Sequence, residues 1–420
     1  MRTILLAFRM RFWLLLMSLL LAIPAPAATK YKVLYNFKGG NDALGPLYGA
    51  LALDKDGNLF GTAGGGGQNS KCGGTCGTVF ELTPEANGKW SESVVFRFQP
   101  TGTGFWPFGG VIVDQSGNLY GTNVSGGTHN EGTVYALTPG SRGWSESILY
   151  SFGSHKNDAA GPFSGLVAGP AGHFYAAAYY PYELSREAGG GWTERVLYRF
   201  RPKAHKDDTD GWSSDLPLIR DSAGHLYGVT TYGGNYSKCA VDQLGCGTVF
   251  ELVPGSNGKW EENILYRFAE FNNDGEQPLA GVVMDSYGHL YGTTSYGGKY
   301  QNGTIYELIR DKAGHWQEKI LYSFRGNGDG GLPVAPVIVG GRGNLYGTAG
   351  GGGGACSCGV IFKLAPVANG KWKYTVLHHF HGADGGQPWA GLSFGRKGEI
   401  YGTTSWGGKY LYGVVFEITR

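Results

Sequence analysis

Charge is scarce in this chain. Asp, Glu, Lys and Arg together make up 16% of its 420 residues, and the formal net charge is +2. Low charge beside 14% aromatic residues excludes an intrinsically disordered chain. Near-neutrality without blocks of like charge excludes a phosphate-binding surface, so no nucleic-acid partner is expected. Long apolar runs are missing too. Residues 12–23 form the longest, short of the ~20 residues that a helix needs to cross a bilayer. Catalytic signatures are lacking: no G-x-S-x-G elbow, H-E-x-x-H helix, Walker loop or dinucleotide fingerprint occurs. The glycine runs at 64–67 and 350–354 fall in predicted hairpin loops, with no helix after them to hold a phosphate.

The short apolar run has a specific setting. Arg2, Arg9 and Arg11 precede it and Ala25-Pro26-Ala27 follows it. A basic start, a short apolar stretch and small residues at a cleavage point make an export signal, so residues 1–27 are expected to be a signal peptide. The remaining chain, 28–420, is then expected to be secreted or periplasmic, with no membrane span after cleavage, and monomeric.

What is abundant is glycine, 75 residues of it, arranged in repeats. A strand-like motif recurs seven times: VLYNF at 33, VVFRF at 94, ILYSF at 148, VLYRF at 196, ILYRF at 264, ILYSF at 320 and VLHHF at 376. The mean period is about 57 residues. Each repeat holds three further strand signals: a short apolar stretch such as 111–113, a Gly-Asn-Leu-Tyr-Gly-Thr segment such as 117–122, and a Gly-Thr-Val-Phe-Glu-Leu segment such as 77–82. Four short strands per repeat, bounded by Gly, Asn and Asp, predict an all-β, seven-bladed β-propeller with four antiparallel strands per blade. Residues 28–420 then form a single domain. The last repeat ends after its third strand, and residues 31–37 are a fourth strand with no blade before them. The N-terminal strand is therefore expected to complete the seventh blade and close the ring. An open solenoid is the alternative, with both terminal faces uncovered. Within the fourth strand, Trp90, Glu92, Val94, Phe96 and Phe98 alternate, and the period of two places all five on one face.

The segment Tyr291-Gly292-Thr293-Thr294-Ser295-Tyr296-Gly297-Gly298, followed by Gly303-Thr304-Ile305-Tyr306-Glu307-Leu308, resembles the GloVer tandem-repeat family of exported bacterial proteins. Residues 401–408 repeat the match. The resemblance runs over nearly all of 28–420. It implies an exported repeat protein and no particular activity.

The six cysteines fall in pairs, Cys72/Cys76, Cys239/Cys246 and Cys356/Cys358, each between the second and third strands of a repeat. In an oxidising compartment three local disulfides are expected. The last would close a very small ring, and metal binding is the alternative.

In a propeller the loops between strands two and three share a face with the loops between blades. Both are long and variable here, so function is expected on that face. Trp90, Trp144, Trp192, Trp260, Trp316 and Trp372 hold one repeat position and read as core, and Trp389 reads as buried packing. Trp106 and Trp212 have no aromatic counterpart in other repeats. With Tyr236, Tyr296, Tyr300, Trp406 and Tyr410 they are the ligand-binding candidates, suited to stacking on a polysaccharide. Covering of neighbouring blades is the structural alternative. Blade three joins its second and third strands through Tyr179-Tyr180-Pro181 alone, which predicts a notch in the rim.

Asp42, Asp158, Asp274, Asp329 and Asp384 each precede a proline by four positions. They read as turn residues accepting local hydrogen bonds, with Ca²⁺ ligation as the alternative. His379, His381 and Asp384 could form a metal-assisted site. His173, His225 and His289 replace a turn Asn and read as structural. No cofactor is required by any of these motifs. Three functions stay open: a binding module for polysaccharide or an extracellular protein, a polysaccharide lyase or hydrolase with its site at the central channel mouth, and a structural surface protein.

Overall fold

The computed structural model describes residues 29–67, 75–100, 102–201, 210–236, 239, 244–269 and 273–419. The expected signal peptide and Cys72 lie outside these residues. Seven four-stranded antiparallel sheets form the blades. Blade 5 is representative, with strands Val283–Met284, Leu290–Thr294, Thr304–Arg310 and Trp316–Ser323 in sheet order. Its first hairpin is built from its sequence. Asp285 accepts backbone N–H bonds from Tyr287 at 2.8 Å and His289 at 3.0 Å, while Gly288 takes φ +83°. An aspartate that folds the chain back on itself and a glycine free to enter the left-handed region define this turn.

Blade 7 is assembled from both ends of the propeller. Lys30–Asn36 pairs antiparallel with Val414–Thr419, from Lys30 opposite Thr419 to Asn36 opposite Val414. The predicted closure is the observed one, and it pairs the outer edge of the last blade.

The fourth strand departs from simple alternation. In six blades its pairing with the third strand, or that of the closing strand with its partner, shifts by one residue, as between Val79 and Phe80 in blade 1. Phe80 faces Val94 but Val79 faces Phe96, leaving Val95 as the extra residue of a β-bulge. The bulge exchanges faces halfway along the strand. Trp90 packs with Phe80 and Leu82 toward blade 7, whereas Phe96 and Phe98 pack with Val111 and Leu119 of blade 2. The five residues expected on one face are therefore divided between two neighbouring blades.

This exchange lets an outer strand grip both neighbours. Toward the preceding blade, the recurring tryptophan meets an aromatic of the second strand: Trp144 on Phe60, Trp260 on Tyr175, Trp372 on Tyr291, at 6.0–6.3 Å. These tryptophans are half-buried seams between blades rather than blade interior. Toward the following blade, a tyrosine hydroxyl donates to the linker aspartate: Tyr35 to Asp42, Tyr150 to Asp158, Tyr198 to Asp210, Tyr266 to Asp274 and Tyr322 to Asp329, at 2.6–3.0 Å. His378 takes this role toward Asp384 at 2.9 Å. Each of these aspartates also accepts a nearby backbone N–H, as Asp42 does from Lys38. The turn reading of the aspartates thus describes their bonds, extended by a clasp to the outer strand.

At the axis the blades meet through backbone. A Cβ placed on Gly49 would lie 2.3 Å from Cα of Gly110, one on Gly109 2.5 Å from N of Gly165, and one on Gly281 2.3 Å from O of Pro217. Glycine is required here because a side chain would force adjacent blades apart.

Candidate functional site

Each linker between blades folds back over the blade it leads into. In six blades its chain pairs with the loop that follows the second strand: Ala43–Leu44 with Gly65–Gly66, Gly211–Trp212 with Tyr232–Gly233, and Gly275–Glu276 with Tyr296–Gly297. Single bridges do the same at Phe105 and Ser125, Gly331 and Gly351, and Gly386 and Trp406. Linkers and second-to-third-strand loops therefore share one face, as expected. In blade 3 these strands, Phe174–Ala177 and Pro181–Arg186, are joined by three residues with no such pairing among the described residues.

After each ribbon comes a residue in the left-handed region: Gly45, Trp106, Gly161, Ser213, Gln277, Leu332 and Gln387, with φ between +49° and +64°. Proline follows in six repeats and Ser214 in the fourth. The next residue belongs to a ring around the channel: Leu47, Phe108, Phe163, Asp215, Leu279, Val334 and Trp389. Several of these line a cavity of about 480 Å³ at the channel mouth, together with Tyr48, Tyr232 and Pro336. Aromatic rings pave one half of the mouth. Trp389 lies parallel to Tyr48 at 6.3 Å, Tyr48 meets Phe108 edge-on at 6.1 Å, and Phe108 stacks on Phe163 at 5.6 Å. Tyr48 is 45% exposed and Phe163 40% exposed. Leu279 and Val334 form the aliphatic other half.

One carboxyl group, Asp215, is found among the described residues of the lining. Ser213 donates its hydroxyl to Asp215 at 2.8 Å. Burial in apolar surroundings raises the Asp215 pKa above the ordinary carboxylate value, and the Ser213 bond only partly opposes this. Tyr179, in the short blade 3 connection and 44% exposed, has its pKa raised by burial first, then by Tyr180 and Asp215.

The sequence-selected residues divide. Trp106 is 40% exposed and stacks parallel on Phe108 at 6.4 Å, which joins it to the pavement. Trp212 stacks on Tyr232, a lining residue, at 4.8 Å. Tyr296, Tyr300, Trp406 and Tyr410 are exposed on the same face but outside the lining. Tyr300 lies under Lys299 and Arg325, and Trp406 covers Gly382 and Gly386. Tyr236 is half-buried in the blade 4 loop that carries the Cys239–Cys246 disulfide. Trp389, expected as buried packing, is partly open and lines the cavity. The ring column also yields Phe163 and Asp215, and its neighbour Tyr48, none of which was selected from the sequence. A seven-row comparison of that one position would have isolated Asp215.

Cys239–Cys246 and Cys356–Cys358 are disulfides, with Cα separations of 5.5 and 5.1 Å. Cys76 is also disulfide-bonded. His379, His381 and Asp384 do not converge. His379 Nδ1 meets the Gly353 carbonyl at 3.1 Å, while His381 Nδ1 stays 3.7 Å from an Asp384 carboxylate already bonded to His378. Among the described residues no group of three acidic, His or Cys side chains could hold a metal. His173 and His225 bond Glu183 and Glu251 of their own third strands at 2.9 and 3.0 Å, in keeping with a structural role.

No curated protein matches the sequence. Among solved structures the chain is similar to an ancestral GH74 enzyme at TM-score 0.55 and 12% identity, over 90% of this chain and 48% of that one. It thus spans about half the length of that enzyme. A protein from Bacteroides uniformis ATCC 8492, provisionally described as a 6-phosphogluconolactonase, is similar at TM-score 0.50 and 12% identity, over 83% of this chain and 89% of that one. Such distant likenesses show the fold alone. Among the described residues no helix is long and apolar enough to cross a membrane. A family profile described as the Gloeobacter/Verrucomicrobia repeat matches residues 23–189 and 218–420, in agreement with the repeat motifs, and the chain belongs to that family.

Proposed function

We propose that the protein is an exported, monomeric binding module that holds a polysaccharide at its channel mouth. The observation that carries this reading is the convergence of Trp389, Tyr48, Phe108 and Phe163, from four consecutive blades, into one partly exposed pavement beside a 480 Å³ cavity. Flat aromatic faces suit the apolar faces of sugar rings, and an apolar pocket with a few polar groups is the usual form of a ligand site. Hydrolysis of a glycosidic bond ordinarily needs two carboxyl groups flanking the bond. Asp215 is the one carboxyl among the described residues of the lining, which supports retention over cleavage. Disulfides support the exported setting. The test is a binding panel of soluble polysaccharides against the purified protein, with retained ligands checked for cleavage. Retention without cleavage, weakened at least tenfold in Trp389→Ala while the melting temperature holds, is expected. Cleavage, or retention indifferent to Trp389 and Tyr48, would overturn the reading.

A further inference from the structure

We infer that the channel mouth selects sugars carrying a free ammonium group, with Asp215 as their counter-ion. The inference rests on the carbohydrate reading above and narrows it to a ligand class. In the ring around the channel, six positions are apolar and the blade 4 position is a carboxyl group. The departure is local and concerted. Ser213-Ser214-Asp215 replaces a motif that elsewhere runs left-handed residue, proline, apolar residue. These residues lie in 190–217, between the two segments that match the family profile.

Asp215 is poorly compensated where it stands. It accepts hydrogen bonds from the Ser213 hydroxyl at 2.8 Å and from its own backbone N–H, and no ion pair to it is found among the described residues. No Lys, Arg or His is among the described residues that line the cavity. A half-buried carboxylate without a cation is costly, and a bound ammonium would remove that cost. The rest of the mouth favours the same charge. Tyr48, Phe163 and Trp389 expose ring faces, whose negative quadrupole attracts a ligand cation within about 6 Å. A polyanionic sugar would meet a carboxylate and π faces, with no partner for its own charge. The pavement crosses four blades, which exceeds what a single ammonium group can cover and fits a cation borne on a chain of sugar rings.

The test is calorimetric titration of the purified protein, near pH 6.5, with three oligomers of equal length: glucosamine, N-acetylglucosamine and glucose. The aminated oligomer is expected to bind at least tenfold tighter than the other two. Asp215→Asn should reduce that ratio to near one. Trp389→Ala should weaken all three. Equal affinity for aminated and acetylated oligomers, or a preference that survives Asp215→Asn, overturns the ammonium inference and leaves the carbohydrate site standing. Failure of every oligomer to bind, or binding indifferent to Trp389→Ala, overturns both.

Discussion

Replacing Glu318 by Gln should make the protein more stable in alkaline than in acidic solution relative to its parent. Glu318 lies on the outer strand of blade 5, two residues past the seam tryptophan Trp316. Its Oε1 is buried without a hydrogen-bond partner. Burial first, and then the Asp274 charge from the linker, hold its pKa at about 8 against an ordinary 4.5. Below pH 4.5 both folded and unfolded chains keep this proton, and the group costs nothing. Between 4.5 and 8 the unfolded chain ionises while the folded one does not, so stability falls by about 1.4 kcal/mol per pH unit. Above 8 the loss is complete, at most about 5 kcal/mol. Gln cannot ionise and avoids it. With an unfolding entropy of about 2.1 cal/mol/K per residue, about 5 kcal/mol over this ring corresponds to roughly 6 °C. Thermal unfolding of parent and Glu318→Gln should differ little at pH 4.5 and by several degrees at pH 8.5. A gain of equal size at both pH values would refute the argument. Glu146 is the internal control. The linker leading into blade 2 has Thr103 at the aspartate position, and Phe96 in place of the tyrosine. Burial alone raises the Glu146 pKa, to about 7, so the gain from Glu146→Gln should level off about one pH unit earlier.

Three further outcomes follow from the geometry. Removing residues 28–37 should strip blade 7 of its outer strand and lower the melting temperature sharply; an unchanged value would contradict ring closure. Gly281→Ala should destabilise by about 1–3 kcal/mol, because its Cβ would lie 2.3 Å from the Pro217 carbonyl oxygen, and denaturant titration would show it as a lower midpoint at constant slope. Ser214→Pro should raise stability by about 0.5–1 kcal/mol: it removes a buried hydroxyl without a partner and restricts the unfolded chain as in the other six repeats. A loss of stability on chemical denaturation would show instead that the Ser214 backbone needs its N–H.

Blade count, strand order and closure were legible because they repeat. VLYNF at 33 and ILYSF at 320 report the same strand, and the unmatched ends of the chain meet in only one way. The face exchange was not legible. A bulge such as the one at Val95 leaves the alternation Trp90, Glu92, Val94, Phe96 intact in the sequence and breaks it in space. The aspartates were readable as turn residues, but their tyrosine clasps required knowing where the bulge turns Tyr266. Trp106 and Trp212 were found as rings without counterparts. Tyr48, Phe163 and Asp215 were not, since each looks ordinary within its own repeat. The mouth is a column read across repeats, one residue per blade, and unlike residues in that column escape a search for shared motifs.

The pairing of Lys30–Asn36 with Val414–Thr419 sets an order of events during synthesis. The closing strand emerges first and its partner last. Until then the outer edge of blade 7 does not exist, and the amino-terminal strand has nowhere to dock. Contacts of such sequence separation carry a heavy loop-closure cost and form late. The finished ring therefore requires that every strand from Lys30 to Thr419 has been made. A ribosome that stops early releases six blades and an unpaired strand, which leaves two open edges for proteolysis to find.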